Sequence, residues 1–151
     1  ALLFWQGQEL ASATVSFELR WQQVRDLRKY LPCEAIIYGR LPLMLMENCV
    51  MKNRTGTCSC QTTQTKLTDR MGEEFPIVKD PGTCRNILLN GKKLYLLDKK
   101  ETFRGMGLWA LRLQFTTENA GEVDRVLSEY RSGARFEPGS CTRGLYNRGV
   151  E

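Results

Sequence analysis

The chain has 151 residues, enough for one domain or slightly more. Its 42% hydrophobic and 26% charged residues are typical of a globular protein, which excludes a disordered or fibrous chain. No apolar stretch approaches the roughly 20 residues that a membrane-spanning helix needs, so no membrane partner is expected. The 22 Lys and Arg against 17 Asp and Glu give a net charge of +5, which permits a polyanion partner without forming a concentrated basic stripe.

The chain contains no histidine. This excludes a Ser-His-Asp or Cys-His catalytic set, His-ligated zinc and imidazole acid–base catalysis within this chain. Any chemistry must use cysteine, carboxylate, lysine or tyrosine side chains, or a bound cofactor. Six cysteines without a secretory signal indicate reduced thiols in a cytoplasmic protein. Because the first residue is Ala1, we expect a segment of a longer protein, or else a processed chain.

The first part of the chain has the pattern of a strand, a helix and a second strand. The β-branched stretch 13–18 predicts a strand, and the apolar positions of 20–31 recur at helical spacing. Pro32 ends that helix, and the mostly apolar stretch 34–39 predicts a strand buried on both faces. This order is typical of a parallel sheet or a (β/α) barrel.

Short strands separated by turns are predicted for the middle of the chain. The stretches 86–89 and 93–97 flank Asn90-Gly91, and this dipeptide predicts a hairpin because both central residues of a type I′ turn need positive φ. The polar, glycine-bearing stretch 49–60 has the composition of a loop.

The sequence therefore predicts an α/β fold in two parts. Residues 1–46 are expected to form the last βα units of a (β/α) barrel-like domain. Residues 47–151 are expected to form a smaller, cysteine-containing β-rich domain with a strand at 109–115, one helix at 119–132 and a basic tail at 134–151.

The densest chemical feature is a set of four cysteines with the spacing Cys-x8-Cys-x-Cys-x23-Cys, namely Cys49, Cys58, Cys60 and Cys84. Thiolates are soft ligands, and four of them suit an iron–sulfur cluster or a tetrahedral zinc ion. The spacing favours a metal centre, while unrelated buried cysteines or a disulfide remain open alternatives.

Two further residues are candidates for catalysis. Glu18 lies at the end of a predicted strand, where barrel enzymes place catalytic carboxylates, and it is a candidate for activating water. Arg40 follows the buried strand and is a candidate for binding a carboxylate or phosphate through two hydrogen bonds. The structural alternatives are an anchoring carboxylate and a solvated arginine beside a glycine turn.

Several motifs occur together over nearly the whole chain. They are SFEL at 16–19, YGRLPLM at 38–44, NC at 48–49, LTDRMGEEFPIV at 67–78, CRNILLN at 84–90, RLQFTTE at 112–118 and TRGLYNRGV at 142–150. In combination they resemble the C-terminal part of a long member of peptidase family U-32, the collagenase-like peptidases.

The resemblance implies a (β/α) barrel-like domain followed by a smaller β-rich domain, and a protease acting on a peptide substrate such as collagen. Other members act in hydroxylating a base of transfer or ribosomal RNA or in oxygen-independent ubiquinone synthesis, and several hold an iron–sulfur cluster on four cysteines. Cys49, Cys58 and Cys84 fall where such ligands are expected, with Cys60 as the fourth. In the family, the strand is followed by a histidine-glycine segment, and this chain has the sequence YGRLP at 38–42 instead. In this respect it resembles the second, divergent copy of the domain in long members of the family.

The resemblance thus predicts a U-32 peptidase-like hydrolase, with the remainder of its barrel outside this chain. The first alternative is an iron–sulfur protein that modifies a base in structured RNA. The second is a non-catalytic accessory domain held together by a structural metal, in which zinc replaces the cluster.

Overall fold

The computed structural model describes residues 2–57, 65–133 and 139–146. These residues form a mixed α/β structure with two sheets and five α-helices, which confirms the α/β class. In chain order the elements are α1 (Leu2–Gln6), β1 (Ala13–Thr14), α2 (Trp21–Leu27), β2 (Cys33–Gly39), β3 (Pro42–Met46), α3 (Val50–Thr55), β4 (Thr65–Thr68), β5 (Glu74–Lys79), β6 (Asn86–Leu89), β7 (Lys93–Tyr95), a 3-10 turn (Leu97–Lys99), α4 (Lys100–Gly105), β8 (Ala110–Gln114), α5 (Ala120–Ser132) and β9 (Cys141–Thr142).

The chain divides into two compact units. Unit 1 consists of Ala1–Gly39 and Leu94–Glu151, and unit 2 consists of Arg40–Lys93. The boundary that the sequence analysis placed after residue 46 coincides with the end of β3, within unit 2.

The sheet of unit 1 is built around β2, which has strands paired along both of its edges and most of whose residues are buried. β1 pairs with its beginning in parallel, which confirms the predicted strand–helix–strand order. The strand predicted for 13–18 is wrong in its length, because it covers only Ala13–Thr14, and Glu18 lies in a turn rather than at a strand end. β8 pairs in parallel along most of its length, so the stretch 110–114 joins β2 in one sheet. Near the other end of β2, β7 pairs antiparallel, with Gly39 opposite Leu94, and β9 lies beside β7.

Helix α5 forms where the sequence predicts it, because both of its ends are capped. Asn119 Oδ1 accepts a hydrogen bond from the Glu122 N–H at 3.0 Å, and the Glu122 side chain accepts one from the Asn119 N–H at 3.0 Å. Gly133 ends the helix with φ of 71°. The buried Glu129 accepts a hydrogen bond from the Tyr95 hydroxyl, which joins α5 to β7.

Unit 2 contains a four-stranded antiparallel sheet in the order β3-β6-β5-β4. β6 occupies an inner position, and its residues Asn86, Leu88 and Leu89 are buried. The core of the unit adds Ile77 from β5 and Met51 from α3. The described part of unit 2 therefore has one sheet with a short helix packed near it.

The hairpin predicted at Asn90-Gly91 is wrong. β6 pairs with β3 and β5, whereas β7 pairs with β2 and β9, so the two strands belong to different sheets. Neither Asn90 nor Gly91 has a positive φ. Both of their carbonyl groups instead accept hydrogen bonds from the Arg40 guanidinium. Gly91 is required for a different reason, since a Cβ there would lie 2.8 Å from the Glu74 carbonyl oxygen.

The loop predicted for 49–60 is also wrong in part, because it contains helix α3. The Cys49 side chain accepts a hydrogen bond from the Lys52 N–H at 3.5 Å and so caps the start of the helix. Gly56 ends it with φ of 72°. Caps at both ends thus stabilise a helix of six residues that has too few turns to show periodicity.

At Gly39 a neighbouring strand approaches the backbone very closely. Its φ is +122°, and a Cβ there would lie 1.9 Å from the Gln114 carbonyl oxygen of the neighbouring β8. We expect Gly39→Ala to lower the free energy of unfolding of unit 1 by at least about 3 kcal/mol, because β8 has to move away from β2.

Tryptophan fluorescence in urea measures this effect for unit 1 alone, since Trp5, Trp21 and Trp109 all belong to it. The control is Gly133→Ala, where φ is +71° but the nearest atom is the flexible Lys100 Nζ at 3.7 Å. Its expected cost is about 1–2 kcal/mol. Equal losses for the two variants would contradict the role given to the close approach.

Candidate metal centre

The sheet of unit 2 brings four strand ends, and so two chain connections, to one end of the sheet. β3 ends at Met46 and β6 begins at Asn86, and these two residues are register partners. β5 ends at Lys79, which is the other partner of Asn86. β4 begins at Thr65, opposite Ile77 and therefore near the same end. The segments that carry all four candidate cysteine ligands start or finish at this end, which we call the cysteine end.

Cys49 lies three residues after β3, at the N-cap position directly before α3. Its half-buried thiol faces the helix start, where it accepts the Lys52 N–H. α3 is held at the cysteine end by Thr65, whose hydroxyl donates a hydrogen bond to the Met51 sulfur. The Thr55 hydroxyl donates to the Thr57 carbonyl at 2.9 Å and fixes the chain where it leaves the helix.

Cys84 lies in the turn between β5 and β6, and its side chain is exposed. Asp80 holds this turn: its Oδ2 accepts hydrogen bonds from Arg85 Nη2 at 2.7 Å, Arg85 Nε at 3.0 Å and the Thr83 hydroxyl at 3.0 Å. The hydrogen bonds from Arg85, and then that from Thr83, hold the pKa of Asp80 below its usual value. The same pairing raises the pKa of Arg85. The turn that presents Cys84 is therefore fixed by side-chain contacts.

Two contacts join the Cys49 segment to the Cys84 segment. Asn86 Oδ1 accepts a hydrogen bond from the Val50 N–H at 2.8 Å, and Arg85 Nη1 lies 3.5 Å from Glu47 Oε1. Cys49 is bonded to Val50, and Cys84 is two residues from Asn86. Adding standard bond lengths to the hydrogen bond places the two Cα atoms at most about 16 Å apart.

The thiols of the described cysteines, Cys33, Cys49, Cys84 and Cys141, are free. Within residues 2–57, 65–133 and 139–146, no three His, Cys, Asp or Glu side chains are close enough together to hold a metal ion. The other two proposed ligands, Cys58 and Cys60, lie outside the described residues, and Thr65, with which the described chain resumes, lies at the cysteine end. The donor types fit a soft metal, since the cysteine end supplies thiols without competing imidazole.

The remaining cysteines lie in unit 1. Cys33 is fully buried at the start of β2, its thiol donates a hydrogen bond to the Leu31 carbonyl at 3.1 Å, and burial raises the pKa of that thiol. Cys141 is half-buried in β9. Both therefore have positions expected of structural residues.

The structure gives Glu18 and Arg40 local structural contacts in different units. Glu18 is exposed in unit 1, and its N–H donates a hydrogen bond to the Ser16 hydroxyl at 3.2 Å. Arg40 is in unit 2, where its Nη1 donates to the Asn90 carbonyl at 2.8 Å.

Glu34 of β2 accepts hydrogen bonds from Arg112 Nε at 2.6 Å and from the Thr14 hydroxyl at 2.8 Å. Burial raises the pKa of Glu34, but these two bonds outweigh burial and lower it overall.

Asn86 is the residue of this site that sequence reasoning missed. Its role depends on a contact with Val50, 36 residues earlier, and nothing in the local sequence signals that contact. The cysteine spacing, in contrast, is visible in the sequence itself.

Comparisons of the chain with family models, with curated proteins and with solved structures find no match. In the parts of the chain that the structure describes, none of the helices is both long enough and apolar enough to cross a membrane. The resemblance to family U-32 therefore stays a prediction.

Because Asp80 titrates below its usual pKa, its contacts stabilise unit 2 fully above that usual value, and this stabilisation is lost as pH falls through the lowered value. We expect the protection of amide hydrogens in 40–93, measured relative to the intrinsic exchange rate at each pH, to decrease below about pH 4. Asp80→Asn is expected to raise exchange at neutral pH and to flatten the acid dependence.

Asp124→Asn is the control, because Asp124 is exposed on α5 and has no hydrogen bond or ion pair within the described residues. Its exchange profile for 40–93 is expected to match that of the unmodified chain. An unchanged acid dependence in Asp80→Asn would contradict the role of this carboxylate.

Proposed function

We propose that the chain is a U-32 peptidase-type protein whose unit 2 holds an iron–sulfur cluster on Cys49, Cys58, Cys60 and Cys84. We further propose that the cluster serves the modification of a base in structured RNA in the cytoplasm. The observation that carries the proposal is the placement of Cys49 and Cys84 at one end of the sheet, where the connection containing the other two cysteines also starts and finishes. When bound, such a cluster supplies one-electron transfer.

The charges of the cysteine end support an anionic cluster. Lys52 and Arg54 lie on α3 and Lys79 ends β5, whereas Arg85, which follows Cys84 directly, is already paired with Asp80. A cluster held by four thiolates has a net negative charge, which nearby cations stabilise.

Hydrolysis is less well supported by the residues of this chain. It has no histidine to act as a base, and Arg40 is engaged by backbone carbonyl groups. A metal held by four thiolates leaves no position open for an attacking water. The net charge of +5 suits a nucleic-acid partner, since phosphate contacts supply much of the affinity in such complexes.

Unit 1 is proposed to derive from a barrel-like sheet. β2 has parallel neighbours in β1 and β8, as a strand of a (β/α) barrel would have, whereas the antiparallel strand β7 beside it has no counterpart in such a barrel. A complete barrel needs eight such strands, so the others would come from outside this chain.

Metal analysis tests the ligand set. After anaerobic purification, we expect the chain to contain iron and inorganic sulfide and to absorb visible light through sulfur-to-iron charge transfer. Cys49→Ser and Cys84→Ser each remove a ligand, so both are expected to lose more than half of the iron and to lower the melting temperature of unit 2. Cys141→Ser is the matched control, because Cys141 lies in unit 1, and it is expected to keep its iron.

The other outcomes have distinct meanings. Zinc in place of iron would indicate a structural metal and contradict the electron-transfer role. Equal metal content in the three variants would contradict the ligand set. Gelatin or casein degradation that resists chelators and is abolished by Glu18→Gln would favour the peptidase instead.

A further inference from the structure

An open cleft of about 400 Å³ lies on the surface of unit 1. One wall is the turn that follows α2, with Arg28, Lys29 and Tyr30, and the other contains Gly107 and Trp109. The walls meet because the Trp109 N–H donates a hydrogen bond to the Cys33 carbonyl at 2.9 Å. The cleft therefore lies where the parallel strands β2 and β8 begin.

Two aromatic rings of this cleft are exposed to solvent. Trp109 is 66% exposed and Tyr30 is 44% exposed. In the described residues, neither ring stacks on another aromatic side chain or on a cation. Exposed rings of this size leave a large apolar area in water, and a ligand that stacks on them would remove it from water.

The same cleft carries positive charge. The side chain of Arg28 has no hydrogen bond or ion pair within the described part of the chain, and its guanidinium lies beside Gly107, where a Cβ would be only 3.0 Å from Nη1. Lys29 lies 3.3 Å from Asp26 Oδ1, but both side chains of this pair are more than half exposed, so it contributes little and exchanges readily. Among the described residues, those that line the cleft include no carboxylate.

We infer that this cleft binds a single-stranded segment of RNA, with a base stacked on Trp109 and the adjoining phosphate on Arg28. Aromatic stacking together with cationic contacts to the backbone is how proteins bind unpaired strands, whereas the bases of a duplex are already stacked on each other. The volume lies within the range of about 300–1,000 Å³ found for ligand pockets. The choice of RNA among polyanions rests on the proposed function.

The position of the cleft assigns it a binding role. Reactive sites of parallel α/β sheets lie beyond the carboxyl ends of the strands, and this cleft lies at their amino ends. It is therefore expected to hold the RNA strand without contacting the base that reacts.

The test uses the full chain and a fluorescein-labelled oligouridylate of about 12 nucleotides, followed by fluorescence anisotropy. Trp109→Ala is expected to weaken binding about 5-fold to 100-fold, as loss of one stacked base does, whereas Trp109→Phe keeps a ring and most of the affinity. Arg28→Ala is expected to reduce the slope of log affinity against log salt by about 0.7, the value for one phosphate contact on a single strand.

Two control variants lie outside the cleft. Trp5→Ala removes another exposed tryptophan, and Arg104→Ala removes the same charge from α4. Both are expected to bind the oligomer like the unmodified chain. If Trp5→Ala weakens binding as much as Trp109→Ala, or if Trp109→Ala has no effect, the inference is overturned.

Competition experiments identify the chemical class of the ligand that the cleft binds. Uridine monophosphate that competes as well as the oligomer, per nucleotide, would indicate a free nucleotide as ligand and overturn the strand assignment. A duplex that binds as tightly as the single strand would overturn it as well.

The measurements distinguish a failure of this inference from a failure of the proposed function. Iron content is expected to be the same in Trp109→Ala and in the unmodified chain, because Trp109 is not a ligand. Iron without oligomer binding would overturn the cleft alone. Trp109-dependent binding by a chain without iron would support the cleft and overturn the cluster.

Discussion

The buried amide of Asn86 is the contact on which the cysteine end of unit 2 depends. Its oxygen accepts the Val50 N–H at 2.8 Å, and its nitrogen donates to the Arg85 carbonyl at 3.2 Å. One side chain thus joins the start of α3 to the turn before β6. A hydrogen bond of this kind contributes only about 0.5–1.5 kcal/mol, but here it sets the distance between the two segments that present Cys49 and Cys84.

The sequence predicts elements well where the signals are local. Both caps of α5 can be identified in the sequence, since Asn119 has Glu122 three residues later and Gly133 follows the last turn. The parallel strands β1 and β2 follow from their apolar residues and the helix between them. α3 is missed because cysteine is not a usual N-cap and six residues show no period.

Where several distant elements decide the structure, local signals are not sufficient. Asn90-Gly91 has the composition of a hairpin turn, but both edges of β6 are already occupied by β3 and β5, so β7 cannot pair with it. The cysteine set is found from spacing alone, whereas its support by Asn86 and Asp80 requires the tertiary structure. The cleft at Trp109 was missed for the same reason, because its two walls are distant in sequence.

Unit 2 leaves and rejoins unit 1 at neighbouring points, since Gly39 and Leu94 are directly opposite each other in adjacent strands. Opposed residues of an antiparallel pair have Cα atoms only about 4.5–5.5 Å apart. A tight two-residue turn is enough to span such a gap. The whole of Arg40–Lys93 therefore has the geometry of an inserted module: it could be added to the sheet of unit 1, or removed from it, without changing the order of the strands in that sheet.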